Sequence, residues 1–557
     1  VFFGVAVPRQ KLFFLLVWCF FVVVVAVVLF VCFFLQTLAA RVSWLFFLPF
    51  YHRDILKSGG TAVDAAIAGL ICTSVMNPQS SGLGGGVVFT IYNANTGTVE
   101  VINARETVPQ GFHRDLFSGC SFPIGSRWIA VPGEIRGYEE AHKRYGRLPW
   151  KALFEPTIKL LSEPLESVEK HFSPYRQNST SLESVFLNRG ETFRWPALQQ
   201  TLRAVAENGA TAFYEGQIGQ ALVEDLKKAG SVLSMEDLKT YKAEVSSALN
   251  ITLNNTTTVF SPRPPMGGAV LLFILKILEE YKFSKASLAT PKVKEETYHT
   301  IAETLKFSNM LRPHMNDPAF SDAQVTVATL LSDETAHHVR RKIDASGDHP
   351  LSYYNLWESI YNHRYKSMGT SHISVLAADG SAVSATSTIN YPFGSFVYSN
   401  RTGIILNNEL ADFCIVNRSI KPGDHMGRIR LSASALGERP PSAMVPSILI
   451  SKTGDMLVIG GAGGARIISA TAMAIINKLW FGYDLEDAIS SPIMHISNGN
   501  ISFEERFSED VRNGLLRRGH KEMKDEFALN VVQGISKEGK CISAYSDKRK
   551  MGKSAGY

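Results

Sequence analysis

The sequence predicts a layered α+β domain behind one membrane-spanning helix. An apolar run near the N-terminus is long enough to cross a bilayer, helical runs dominate the first half of the chain, and a strand-rich second half opens on a threonine-rich hairpin. Strands and helices mixed in this way pack as layers, not as a bundle. The 557 residues suffice for a large core or more than one domain, and no repeat or long low-complexity linker divides them.

Residues 12–35 are uninterruptedly apolar. About 20 residues cross a bilayer, and a signal-peptide core is usually roughly 7–15, so this run reads as a signal anchor and not a cleaved leader. Arg9 and Lys11 precede it, which keeps the tail 1–11 cytoplasmic and puts everything after the run outside the cell, a single-pass type II arrangement at the plasma membrane. Sequons beginning at Asn178, Asn250, Asn254, Asn255, Asn400, Asn417 and Asn500 agree with that side and are candidate glycosylation sites. The stem 36–52 is unusually apolar and the chain starts at Val1, so we expect an incomplete or misassembled N-terminal sequence.

Leu56–Leu70 reads as a small-residue helix. Gly82-Leu83-Gly84-Gly85-Gly86 then leads into a strand, Val87–Tyr92. Helical runs dominate from about Gly133 to Ala243, with further helices at Ala269–Tyr281 and Glu295–Leu311.

From Thr370 the chain alternates. Thr370, His372, Ser374, Ser384, Thr386 and Thr388 form a polar face; Ile373, Val375, Val383 and Ala385 form an apolar one. Asp379-Gly380 is a hairpin turn signal. Faces match only if paired positions sum to an even number, which a three-residue loop, Ala378-Asp379-Gly380 with Gly380 left-handed, achieves. It sets Val375 opposite Val383 and Thr370 opposite Thr388, with Asn390 extending the polar face; a two-residue loop would mix the faces. Thr388 is therefore expected within hydrogen-bond reach of Thr370.

A threonine after a glycine, ahead of a strand, can become a new N-terminus by self-cleavage, here between Gly369 and Thr370. Its hydroxyl attacks, and its own freed α-amine takes the proton. An α-amine titrates near ~7.7–8.0 against ~10.4 for lysine, so a useful fraction is a free base at neutral pH.

Glu409 and Asp412 stand three apart on a helical turn and share one face. Such a pair is often merely solvated, or forms a glycosidase couple, but no sugar-binding aromatic pattern accompanies it. Met456–Ile459 reads as a strand, followed by a glycine loop, Gly460 to Gly464, and an apolar helix from about Ile467 to Trp480. A glycine loop entering a helix presents free N–H groups to an anion, yet this one lacks the ending of a phosphate-binding loop. The basic excess is mild, +6. Its C-terminal cluster, Lys548-Arg549-Lys550 and Lys553, has no aromatic interleaving and reads as a solvated tail, so nucleic acid is not an expected partner. Cys72, Cys120, Cys414 and Cys541 are too few and too scattered for a disulfide scaffold, and no Cys/His spacing suggests a metal.

The stretch from Thr370 to Gly394 resembles the signature of the gamma-glutamyltransferase (glutathione hydrolase) family. The resemblance runs from about Arg53 to Tyr557. The segments 72–80, 101–109 and 444–450 look like its leukotriene C4-hydrolysing branch. It implies a four-layer αββα sandwich of the N-terminal-nucleophile hydrolase type, cut into a heavy chain (53–369) and a light chain (370–557) that assemble as a heterodimer. It implies that Thr370 is the nucleophile, with Thr388 beside it. Arg105 would grip the substrate α-carboxylate, Glu409 and Asp412 the α-ammonium with help from Asn390, and the Gly463 and Gly464 amides would form the oxyanion hole. Ser442 matches the first of two carboxylate-binding serines; Ala443 stands where the second would be, which removes a donor. The cysteine matching Cys72 pairs, in the family, with one roughly twenty residues upstream that this chain lacks.

The expected reaction is hydrolysis of the γ-glutamyl amide of glutathione and glutathione S-conjugates, leukotriene C4 among them, through a γ-glutamyl-threonine ester. Amino acids or dipeptides are the expected acceptors for transfer, and no cofactor is expected. The other reading kept open is an unprocessed, inactive membrane glycoprotein that serves as a binding or scaffold partner.

Overall fold

The structure is a computed structural model that describes residues 48–557 except 114, 117–119, 121–122, 167–191, 321–322, 357–368, 415–435, 498, 525–530 and 551. The expected tail, membrane anchor and most of the stem lie outside the described residues, as do Asn178 and Asn417. Among the described residues no helix is long and apolar enough to cross a membrane.

Two antiparallel sheets stack face to face. The strands of the first are β1 (Gly86–Asn93), β2 (Thr98–Ala104), β3 (Glu244–Ser247), β6 (Gly369–Leu376) and β7 (Ala382–Asn390), and those of the second are β4 (Leu249–Leu253), β5 (Thr257–Ser261), β8 (Ser447–Ser451), β9 (Met456–Ala462), β10 (Val531–Glu538) and β11 (Cys541–Ser546). The first sheet runs β3-β2-β1-β7-β6 and the second β11-β10-β9-β8-β5-β4. Residues on either side of position 370 thus contribute to both sheets, so a cut there leaves the pieces interleaved.

Helices α1 (Ala62–Met76) and α2 (Glu134–Tyr145) cover the outer face of the first sheet; α3 (Gly268–Glu279), α4 (Pro291–Asn309), α5 (Ile467–Leu479) and α6 (Leu485–Ser490) follow, and α3, α5 and α6 pack on the second. The order through the molecule is helices, sheet, sheet, helices. α3 and α5 are apolar nearly all round, so they cannot sit at a water boundary. They lie in the largest apolar cluster with Phe273, Leu275, Met473 and Ile475 fully buried.

Two local readings need correction. Leu56–Leu70 is not one helix: a helix ends at Lys57, Gly59 takes φ +86°, and Thr61 caps the start of α1 by accepting from the Asp64 N–H while Asp64 accepts from the Thr61 N–H. That capping box fixes where the new helix begins. The glycine loop also starts later than expected. Gly460 and Gly461 belong to β9, paired with Gln533 and Val532. Glycine is needed at 460 because a Cβ there would lie 2.3 Å from the His372 ring on the facing sheet.

Among the sequons the structure describes, Asn250, Asn254, Asn255 and Asn400 are exposed and Asn500 is half-buried in a small hairpin.

Candidate active site

The hairpin β6–β7 has the register its alternation predicts. Val375 pairs with Val383 and Thr370 with Thr388, and Gly380 closes the turn with φ +87°. The polar face points at the second sheet: the Ser384 hydroxyl donates to the Ile459 carbonyl at 3.0 Å, and the His372 ring sits over Gly460. At the open end of the hairpin a bulge separates Gly369 from Thr370, and Asn390 turns out of the strand with φ +73°.

Valence settles the direction of the hydrogen bonds at Thr370. The Thr388 hydroxyl donates its one proton to the Gly369 carbonyl oxygen at 2.5 Å. Its oxygen accepts from the Asn390 N–H at 2.9 Å and lies 3.2 Å from the Thr370 hydroxyl. A hydroxyl has one hydrogen to give, so Thr370 must be the donor in that last contact. The Thr370 proton therefore points toward Thr388. The same hydroxyl of Thr388 polarises the carbonyl of the Gly369–Thr370 bond. Nearby His372 is hydrogen-bonded to Thr386 and Ser374, and burial lowers it to about 3. It stays neutral at physiological pH, and no hydrogen bond joins it to Thr370 among the described residues. An ordinary threonine–histidine couple is not built here.

A buried ionic cluster lies beyond Asn390. The short 3₁₀ turn Glu409–Phe413 carries both acids, and i, i+3 residues eclipse in such a turn. The Arg105 guanidinium bonds Glu409 through one nitrogen and Asp412 through another, the latter at 2.5 Å. Two further Arg105 donors reach the Pro440 and Pro441 carbonyls, each at 3.0 Å. Asn390 donates to Asp412 at 2.9 Å. Three carboxyls thus crowd one guanidinium, since Glu106 lies 3.8 Å from Arg105. Burial pushes Glu106 up to about 8 and Glu409 well above the carboxylate range, although Arg105 pulls both back. One oxygen of Glu409, Oε2, is buried with no hydrogen-bond partner among the described residues.

Two asparagines hold the turn in place. Asn407 accepts from the Ala130 and Glu409 amides and donates to the Gly84 and Ala130 carbonyls; Asn408 donates to Pro123 and accepts from Tyr391. Tyr241 bonds the Arg105 carbonyl at 2.8 Å. Sequence reading missed all three. An Asn-Asn pair just before an acidic turn was the available signal.

β9 ends at Ala462, and Gly463 and Gly464 follow with φ of +119° and +58°. Two successive left-handed residues aim successive N–H groups to one side, and only glycine does this without strain. From the His372–Gly460 contact, two residues along each strand lead to Thr370 on one sheet and Ala462, just before these glycines, on the other. Ser442 stands half-buried after Pro441, its hydroxyl accepting from the Met444 amide at 3.2 Å; Ala443 is buried in the apolar core.

The basic C-terminal cluster is not a solvated tail. Arg549 pairs with Glu504 and Asp547, each within 2.8 Å. Lys550 reaches inward to the Thr370 carbonyl oxygen and to the Ser80 and Ser371 hydroxyls. Lys548, paired with Glu486, and Lys553 keep to the surface. The scattered cysteines also conceal a bond. Cys120 and Cys414 form a disulfide across 294 residues, and Cys414 directly follows the turn that carries Glu409 and Asp412. Cys72 is free and buried, and Cys541 is free and exposed.

One other cluster, His299, Glu303 and His520, has metal-ligand composition. Lys306 fills its cation position, bonding His520 at 2.7 Å and lying 3.4 Å from Glu303, so the charge a metal would supply is already there.

Residues 52–557 match the family model described as gamma-glutamyltranspeptidase. The chain is 50% identical over 527 residues to "Glutathione hydrolase 5 proenzyme" of Rattus norvegicus, covering 91% of this chain and 90% of that protein. It is 49% identical over 534 residues to the Homo sapiens protein of the same name, with the same coverage. Among solved structures, the cephalosporin acylase from Bacillus halodurans superposes with a TM-score of 0.73 at 22% identity, covering 90% of this chain and 92% of that one, which speaks to the fold alone. The matched span holds the threonine hairpin and the ionic cluster alike, and the chain belongs to the gamma-glutamyltranspeptidase family.

Proposed function

We propose that this chain cuts itself between Gly369 and Thr370 and then uses Thr370 to cleave γ-glutamyl amides. The observation that carries the reading is the Thr388 hydroxyl, which donates to the Gly369 carbonyl while accepting from Thr370. In maturation the Thr370 oxygen attacks the Gly369 carbonyl carbon, the peptide nitrogen leaves as the α-amine, and water hydrolyses the resulting ester. In turnover the same hydroxyl attacks the γ-amide carbonyl of glutathione or an S-conjugate. The α-amine takes the hydroxyl proton and passes it to the departing cysteinylglycine nitrogen. Water then releases glutamate, or an amino acid or dipeptide acceptor takes the γ-glutamyl group. The Gly463 and Gly464 amides supply donors for the oxyanion; one such donor is worth ~10²–10³ in rate. Arg105, Glu409, Asp412, Asn390 and Ser442 hold the α-amino-acid end. Leukotriene C4 belongs to this proposal through the resemblance of three segments to that branch.

We also propose that residues 12–35 anchor the chain with the domain outside the cell. The disulfide supports this, since such bonds persist in oxidising compartments. So do the exposed sequon asparagines. N-terminal sequencing of the mature protein tests both maturation and anchor retention. Thr370 should head the smaller piece, and Thr370→Ala should give an uncut chain without γ-glutamyl release. An uncut, unaltered chain that turns over glutathione overturns the reading, and one that does not would be the scaffold glycoprotein.

A further inference from the structure

Lys550 comes from the far C-terminus, 180 residues beyond Thr370, yet it donates to the Thr370 carbonyl oxygen. Its other contacts are the Ser371 hydroxyl at 3.2 Å and the Ser80 hydroxyl at 3.1 Å. Three acceptors match the three protons of an ammonium. No carboxylate faces it among the described residues; nearby Asp547 is taken by Arg549 and the Val532 amide. One of the three acceptors is thus the carbonyl oxygen of the residue whose own nitrogen would be freed by cleavage.

We propose that Lys550 is a positioning residue that fixes the backbone of Thr370 and keeps its freed α-amine in the neutral, proton-accepting form. The inference rests on Thr370 being the nucleophile. A positive charge held against one end of a residue disfavours a second at the other end. Burial lowers Lys550 to about 7, so it yields its own proton readily as well. The two amines then titrate as a pair that carries one charge near neutrality. Without that neighbour, the α-amine returns to its ordinary value of about 7.7–8.0 and is mostly protonated at pH 7. Ser80 lies before the cut and Lys550 after it, so the contact also ties the separated pieces at the nucleophile.

The test is the pH dependence of kcat/KM for a γ-glutamyl anilide, measured on the full matured enzyme and on Lys550→Met, Lys550→Gln and Lys550→Arg. The acidic limb should move up by about one pH unit in the Met and Gln variants, a loss of about fivefold at pH 7 that nearly vanishes at pH 9. Lys550→Arg keeps a charge there and should keep the original limb. Gln retains a donor without the charge, so it separates the hydrogen bond from the electrostatic effect. Profiles that superimpose, or a loss equal at every pH, overturn the proposal. Failure of both neutral variants to mature overturns it too, since Lys550 would then act on cleavage and not on the matured amine. Thr370→Ala run beside them isolates the underlying reading: activity there removes the nucleophile, whatever the Lys550 variants do.

Discussion

Removing the Thr388 hydroxyl should slow maturation more than any other single change that leaves Thr370 in place. Thr388→Val keeps the shape and deletes three contacts: the 2.5 Å bond to the Gly369 carbonyl, the 2.9 Å bond from the Asn390 amide and the 3.2 Å contact from Thr370. The first would act as an oxyanion-hole donor in the proposed cleavage, where the Gly369 oxygen would gain charge under attack by Thr370. Losing one such donor costs ~2.7–4 kcal/mol of barrier, a slowing of about 10²–10³. The second loss removes a hydrogen bond from a fully buried residue, at about 0.5–1.5 kcal/mol of stability. Thr388→Ser restores the hydroxyl and should recover most of both. The assay is the half-life of the uncut chain on a reducing denaturing gel, with thermal melts to separate slow cleavage from misfolding. If Thr388→Val matures at the unaltered rate while its melt is unchanged, the hydroxyl does not assist and the reasoning fails.

Cleavage after Gly369 would leave Cys120 and Cys414 on different pieces, so a non-reducing gel should show one band where a reducing gel shows two; two bands without reductant would refute the interchain link. Glu409→Gln removes one carboxylate from the buried cluster, and a lost charge-assisted bond of ~1.5–3 kcal/mol should raise KM for glutathione about ten- to a hundredfold with kcat changed far less. Equal effects on kcat would instead move Glu409 into the chemical step. Ala443→Ser adds the hydroxyl missing beside Ser442 and should lower KM several-fold, about 0.5–1.5 kcal/mol in binding; an unchanged KM would mean that this buried position does not see the substrate.

What the sequence disclosed was local. Alternation and one Asp-Gly turn were enough to pair Thr370 with Thr388, because side-chain parity leaves few registers that keep two faces separate. Glu409 and Asp412 were legible as one face of a turn for the same reason. The long-range contacts were not. Nothing near Arg105 announces that it meets carboxylates 304 and 307 residues later. Lys550 looked like surface charge because a basic run carries no record of which member turns inward. Only the descent of the chain from β11 shows that Lys548 faces water while Lys550 reaches the Thr370 carbonyl. The disulfide was hidden in the same way: two lone cysteines 294 residues apart become partners only when the chain folds. Helix and strand limits failed where tertiary contact overrode local composition, as at Gly460, which a glycine-loop reading takes out of the strand and the His372 ring puts back.

The ionic cluster bears on why the substrate end should be an amino acid and not a simple acid or amine. The guanidinium of Arg105 is shared between Glu409 and Asp412, and all three side chains are nearly inaccessible to water. A carboxylate alone would draw Arg105 away and leave those acids uncompensated in a low-dielectric site. An ammonium alone would compete with Arg105 for the same oxygens. Breaking a buried pair by withdrawing one partner costs about 3–5 kcal/mol. On the proposed reading a zwitterion would bring one charge of each sign: the guanidinium would turn to the carboxylate while the ammonium would take the vacated acids and Glu409 Oε2. The site would then keep its charge balance before and after binding. Selectivity would arise from the penalty on every ligand that carries only half of the pair, which is stronger discrimination than a single added hydrogen bond supplies.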